Sequence, residues 1–235
     1  TLKENNEFMV TKGLDNKLQR IFENQRDIPY ELDRVCSIDA NTCYNVRTDI
    51  NNSMETIRIL DQIDLMIEQL TYCMQRKYLG TPAEYDTDGV TVIKEAKPPI
   101  YPNDEYRIML TKNIINRYKK ENMIENSTND KTQTSFVTDK GRLFAICTRK
   151  VGGTGEHHDL DLLKFISLHE LAHIANSIKG TENHGPEFWR TFKMLLVEAK
   201  QNGIVIDLET EEGSVKYCNG VELDTDNLNL YGVPM

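Results

Sequence analysis

The stretch Ser167-Leu168-His169-Glu170-Leu171-Ala172-His173-Ile174-Ala175 constrains this chain more than any other. It sets two histidines four residues apart inside an apolar, helix-forming run. Residues four apart share one face of an α-helix, so both imidazoles can reach a single metal ion. Glu170 follows the first histidine, where its carboxylate can reach a metal-bound water without occupying the metal. Leu160, Leu162, Leu163, Phe165, Ile166, Leu168, Leu171, Ala172, Ile174 and Ala175 make the same helix apolar over most of its circumference. A helix of that kind belongs at the centre of a core, where polar imidazoles need partners, and a metal satisfies both at once. Asp159 and Asp161 stand where acidic residues favour a helix start.

Catalytic zinc takes three protein ligands and leaves a fourth position for water. Beyond Lys179-Gly180, which can end the helix, lies Asn183-His184-Gly185-Pro186-Glu187-Phe188-Trp189. His184 is the natural third ligand, offered from a loop or first turn, and Pro186 suits an early position of the next helix. Phe188, Trp189, Phe192, Leu195, Leu196 and Val197 give that helix an apolar face to clamp on the first. In such a site Glu170 acts as general base, and the oxyanion needs a donor besides the metal. Tyr217, His157 and His158 are the candidates.

H-E-L-A-H followed by H-G-P-E-F-W resembles the SprT-like and WLM superfamily of zinc metallopeptidases, which includes Spartan-type proteases. The continuation from Phe192 through Ile204 is similar to the WLM-like branch found in large DNA viruses. The resemblance covers roughly Ser135–Val221, with its sharp motifs in Ser167–Lys193. It implies zinc on His169, His173 and His184, with Glu170 as general base. It also implies a zincin-like core with a β-hairpin before the zinc helix, whose edge strand pairs with an extended protein or peptide substrate. Arg142–Thr148 occupies that strand position. The expected fold is α+β and mostly helical, with a helical N-terminal extension over 1–97 and a metallopeptidase domain over 98–235. The metzincin spacing H-x-x-G-x-x-H is not met.

Two other readings compete with a peptidase. In one, the zinc is only a structural staple, although a glutamate after the first histidine has no role in a closed site. In the other, the enzyme hydrolyses a non-protein amide and Cys147 supplies a sulfur ligand, as in deformylase-like enzymes.

Composition bounds the partners. With 235 residues the chain can bury a core, and its net charge of −9 argues against broad nucleic-acid binding, which needs a cationic footprint. No apolar run is long enough to span a bilayer. The chain opens at Thr1 rather than Met, which leaves an upstream targeting segment open. Five cysteines (Cys36, Cys43, Cys73, Cys147 and Cys218) form no C-x-x-C. They read as free thiols in a reducing, intracellular compartment, the host cytoplasm or a virion if the chain is viral, with a Cys36–Cys43 bridge left open.

The remaining pattern places the elements. Leu14, Leu18, Ile21 and Phe22 have the spacing of a short amphipathic helix, and 35–46 reads as loop. Ser53–Leu79 is a long amphipathic helix that ends at Gly80, and its Met and Leu stripe reads as core. It serves as prodomain, gate or core. Residues 85–102 are turn-rich and read as a linker. Asn103-Asp104 caps a helix whose Arg107, Lys112, Arg117, Lys119 and Lys120 read as a solvated basic face. Strands around Thr134–Thr138 and Arg142–Thr148 are joined by Asp139-Lys140-Gly141, a hairpin signal. Residues 204–208 alternate like a strand, and 214–223 read as a last hairpin.

Overall fold

Alternation along short strands, and a 3.6-residue period between them, decide the architecture. In a computed structural model the chain is described at residues 8–11, 32–37, 42–87, 91–126, 134–150, 154–176, 184–208, 214–218 and 221–224. Its strands are β1 (Phe8–Thr11), β2 (Asp33–Ser37), β3 (Cys43–Val46), β4 (Glu84–Tyr85), β5 (Val92–Lys94), β6 (Met123–Glu125), β7 (Phe136–Thr138), β8 (Leu143–Ile146), β9 (Ser214–Tyr217) and β10 (Val221–Asp224). Its helices are α1 (Ser53–Tyr78), α2 (Glu105–Arg117), α3 (Leu160–Ala175) and α4 (Pro186–Gln201). The fold is therefore mixed α+β, and no described helix is long and apolar enough to cross a membrane. The expected helix around Leu14–Phe22 lies outside the described residues.

Six strands form one mixed sheet in the order β1-β2-β3-β6-β8-β7. The β1-β2-β3 run is antiparallel, β6 pairs parallel with both β3 and β8, and β7 closes the far side as a hairpin with β8. A parallel β3–β6 pair needs a crossover, and α1 and α2 supply it. Side chains alternate across the sheet. Tyr44, Val46, Met123, Phe144 and Ile146 join the main core under the helices. Ile124, Leu143 and Ala145 face the other way, with Leu32 and Phe136.

The long helix α1 forms because Ile57, Leu60, Ile63, Ile67, Leu70 and Met74 recur at helical spacing, and all are buried in that core. Each contributes about 1.5–3 kcal/mol by leaving water. The helix is thus part of the core that also holds α3. In contrast, α3 is apolar all round, and it packs against α1, α2, α4 and the β7–β8 hairpin.

Several expectations are corrected here. Residues 35–46 are not loop but carry β2 and β3. Their cysteines lie directly across from each other, and Cys36–Cys43 is a disulfide. Cys147–Cys218 is a second one, so free thiols are not the state of this chain, although Cys73 stays reduced. Residues 204–208 form no strand. Ile204 and Ile206 are buried and Val205 exposed as the alternation demands, yet no described strand lies beside them. The supposed linker over 85–102 holds the small β4–β5 hairpin. Helix α3 stops at Ala175, before Lys179-Gly180.

The basic face of α2 is also largely consumed. Arg107 pairs with Asp104 at 2.7 Å and Glu198 at 3.6 Å, and Lys120 pairs with Asp61 at 3.1 Å and Asp64 at 2.9 Å. Finally, β8 is interior, flanked by β6 and β7. Arg142–Thr148 therefore has no free edge for a peptide; the outer strand on that side is β7.

Candidate metal centre

Helix α3 begins at an aspartate cap. The Asp159 carboxylate accepts the backbone N–H of Asp161 at 2.8 Å and of Leu162 at 3.4 Å. Fifteen or so ångströms of helix follow before the first ligand candidate, at ~1.5 Å per residue. His169 and His173 then share one face, as their spacing requires. His184 arrives from the segment that enters α4, two residues before Pro186 at the first helical position. One donor atom from each of these three histidines falls within 4.8 Å of the other two.

The fit to a metal can be judged on those atoms. His169 Nε2 and His184 Nε2 are 2.9 Å apart. Two nitrogens bound to one tetrahedral zinc at ~2.0–2.1 Å lie roughly 3.3 Å apart, so a small adjustment suffices. Metal ligation needs neutral imidazoles. Burial, and then the neighbouring His173 and His184, push His169 down to about 3, and burial lowers His184 as well. The donor set is three nitrogens with no acid among them, which suits a borderline-soft divalent ion such as zinc.

Aromatic rings form the wall of this site. Phe188 is fully buried and lies 4.7 Å, 4.3 Å and 4.6 Å, ring centre to ring centre, from His169, His173 and His184. Phe192 stands 5.3 Å from His169, and the half-buried Trp189 is 5.7 Å from His184. These rings fix the imidazoles sterically and exclude water from one side. Sequence reasoning read Phe188 as a clamp between helices and missed that it touches all three histidines.

Glu170 is buried within the same helix turn, 5% exposed. No described residue offers its carboxylate a hydrogen bond or ion pair, and burial alone pushes its pKa up to about 8. A nearby cation reverses that preference and favours the carboxylate.

The other candidates fall elsewhere. Tyr217 is buried, its hydroxyl shared between Ser135 Oγ and the Cys147 carbonyl at 3.0 Å. Burial raises the phenol well above its ordinary range, and the Glu170 charge adds to that, which places Tyr217 in the electrostatic neighbourhood of the glutamate. His158 stacks beside Tyr217, 5.0 Å between ring centres, and its Nε2 accepts the Cys218 N–H at 2.9 Å. The His157 Nε2 meets Thr56 Oγ1 at 2.9 Å. Both rings are pushed down to about 4, chiefly by burial, which favours their neutral forms, and their Nε2 atoms are occupied. Neither joins the triad. Cys147 is in the disulfide to Cys218, which removes it as a sulfur ligand.

A second polar cluster lies between β6, β8 and the start of α1. Arg149, 2% exposed, donates through Nε to Glu125 at 2.5 Å and through Nη2 to Thr56 Oγ1 at 2.9 Å. It also reaches the Asn51 carbonyl. Glu125 further accepts the Arg47 N–H at 2.7 Å and the Thr148 hydroxyl at 3.2 Å. Every charge there is met, which is the mark of a structural network.

Over 208 residues, 88% of this chain and 90% of the relative, the sequence is 29% identical to an uncharacterized protein of Acanthamoeba polyphaga mimivirus. No family model matches the chain, and no solved structure matches it.

Proposed function

We propose that this chain is a zinc-dependent endopeptidase with a zincin-like core of the SprT-like and WLM type, and that it is a viral protein. The observation that carries the reading is the convergence of three histidines together with a buried glutamate that has no partner among the described residues. Buried polar groups in a structural role are ordinarily satisfied, as Arg149 and Glu125 are. Here the carboxylate has no partner among the described residues, and three nitrogen donors lie within reach of one ion.

His169, His173 and His184 would hold the ion. When bound, zinc polarises a scissile carbonyl and lowers the pKa of water. Glu170, desolvated and unpaired, accepts a proton at its carboxylate and returns it to the leaving amine. Phe188 and Phe192 keep the imidazoles oriented and one side of the site dry. Tyr217 spends its hydroxyl on Ser135 and Cys147 and serves as support beneath Glu170 in this reading.

The substrate is an extended peptide. Strand β7 packs beside α3, and its outer edge has no partner strand among the described residues. Such an edge accepts an extended chain by β-augmentation, main chain to main chain. The peptide therefore lies along Phe136–Thr138 instead of β8.

The test compares wild type with Glu170→Gln in peptide hydrolysis and in zinc uptake. The expected result is hydrolysis that needs zinc, stops with chelator and falls by about 10²–10⁴ in the variant, while uptake is kept. Hydrolysis that persists in zinc-loaded Glu170→Gln overturns the mechanism. Zinc uptake by a wild type that cleaves nothing favours the structural-staple reading.

A further inference from the structure

The metal helix does not finish itself. The last four carbonyls of an α-helix have no partner within the helix, and a local ending ordinarily satisfies them with a left-handed glycine just beyond it. Helix α3 instead leaves through Asn176, whose φ of −72° and ψ of 130° are extended. Its terminal carbonyls are met from other elements. Asn113 Nδ2 donates to the Ala175 carbonyl at 2.7 Å. Arg117 Nη1 donates to the Ile174 carbonyl at 2.9 Å and to the Asn176 carbonyl at 3.3 Å. Lys140 Nζ, from the β7–β8 turn, reaches the His173 carbonyl at 3.4 Å. Four consecutive carbonyls, 173 to 176, are thus held by three side chains that are distant in sequence.

We propose that Arg117, with Asn113 beside it, is a positioning residue for the metal centre, fixing the last turn of α3 and its exit so that His173 and His184 converge on one ion. The inference rests on the reading of the three histidines as a metal site. The placement argues for it. His173 is in the turn that is clamped, and His184 lies eight residues past the clamped Asn176. The clamp therefore sits between two of the three donors. Ligand nitrogens must be held to within about ±0.2 Å of their ideal distances, a tolerance that a fraying helix end cannot meet.

The chemistry suits arginine. One Nη1 carries two hydrogens, and here they bridge a carbonyl inside the helix and one just outside it. A lysine carries its donors on a flexible stem and holds the two carbonyls less firmly. A cation at a helix C-terminus is also favoured by the helix dipole. The surrounding packing leaves no slack. A Cβ at Gly141 (φ +104°) would come within 2.8 Å of the Arg117 carbonyl oxygen and 3.4 Å of Ile174 Cδ1. Asn122 Nδ2 then ties the Gly141 carbonyl at 2.7 Å. Three elements meet there: the end of α2, the β7–β8 turn and the end of α3.

The experiment measures Zn2+ affinity by competition with a chromogenic chelator, and the visible absorption of the Co2+ form. The proteins are wild type, Arg117→Ala, Arg117→Lys, Asn113→Ala and, as control, Lys112→Ala on the exposed face of the same helix. The expectation is a loss of Zn2+ affinity of about 10–100-fold in Arg117→Ala, with altered Co2+ bands. Arg117→Lys restores part of it, Asn113→Ala loses less, and Lys112→Ala matches wild type. A merely structural role lowers the melting temperature and leaves affinity and spectrum alone, which overturns the proposal. Should Arg117→Ala fail to fold, Arg117→Lys and Asn113→Ala decide by the same readouts. A wild type that takes up neither ion overturns the metal reading and this inference together; uptake that Arg117 and Asn113 do not influence overturns this inference alone.

Discussion

Glu125 and Glu170 are both closed off from solvent, yet their surroundings are opposite. Glu125 accepts from Arg149, the Arg47 N–H and Thr148, which oppose the upward pull that burial exerts on its pKa. Glu170 has no such partner among the described residues, and burial alone pushes its pKa up to about 8. Burial by itself therefore says little about a carboxylate. What distinguishes a structural group from a poised one is whether the protein supplies its partners. The histidines differ as well: His157 and His158 have Nε2 atoms engaged by Thr56 and Cys218, while the Nε2 atoms of His169 and His184 face each other.

The sharpest way to break the comparison is to remove one group from each cluster. Arg149→Met leaves Glu125 buried without its ion pair, and the expected cost is about 3–5 kcal/mol of unfolding free energy. Glu170→Gln removes a group that no protein partner depends on, and the expected change in the metal-free protein is within about 1 kcal/mol. Urea unfolding at neutral pH measures both. Equal losses would mean that Glu170 has a partner after all.

A smaller effect concerns the support of Tyr217. Its hydroxyl is held by Ser135 and the Cys147 carbonyl, and the Cys147–Cys218 disulfide joins residues 71 apart in sequence around that hydrogen bond. Replacing both cysteines by serine should cost about 2–4 kcal/mol, read by the same unfolding curves with and without reductant. Reductant should then lower the stability of wild type by more than that of the double variant, which keeps only the Cys36–Cys43 bridge.

Metal linkage comes next in size. Zinc at about a hundred times its dissociation constant should stabilise the chain by roughly 2.7 kcal/mol, since only the folded state gathers the three histidines. A thermal melt with and without zinc shows it. His173→Ala should lose the increment, and Arg149→Met should keep it, because the two clusters share no partner. An increment lost in Arg149→Met would show the clusters to be coupled.

Helix α3 was legible because three signals agree there: the four-residue histidine spacing, the apolar run and the aspartate start. The β7–β8 hairpin was legible for a similar local reason, since Asp139, Lys140 and Gly141 all adopt positive φ in the turn. What failed was non-local. Strands β2 and β3 are four or five residues long and carry Cys, Asn and Asp, so their identity comes from pairing with each other and with β6. The order β6-β8-β7 makes β8 interior, and no local pattern in Arg142–Thr148 encodes which neighbours it acquires. Arg117 read as one cation of a solvated face because its acceptors, the carbonyls of 174 and 176, lie more than fifty residues away. Residues 204–208 show the reverse failure, with the right alternation and no strand to pair.

The smallest test concerns the start of α3 and separates engaged histidines from the triad by pH. His158 is almost fully buried and held near a pKa of about 4, against an ordinary value of 6.5, because burial and then Lys150 disfavour its charged form. Its Nε2 must also stay unprotonated to accept the Cys218 N–H. Between those two values the unfolded chain binds more protons than the folded one, so stability is complete above about pH 6.5 and falls as the pH drops towards 4. Going from pH 7 to pH 4.5 should cost roughly 2 kcal/mol from this residue. His158→Gln keeps an acceptor for Cys218 and does not titrate. The loss of unfolding free energy over that interval should therefore be smaller in the variant by about that amount, under metal-free conditions where the triad contributes equally to both proteins. A variant with the wild-type slope would assign the acid sensitivity to other groups and leave His158 with no more than a packing role.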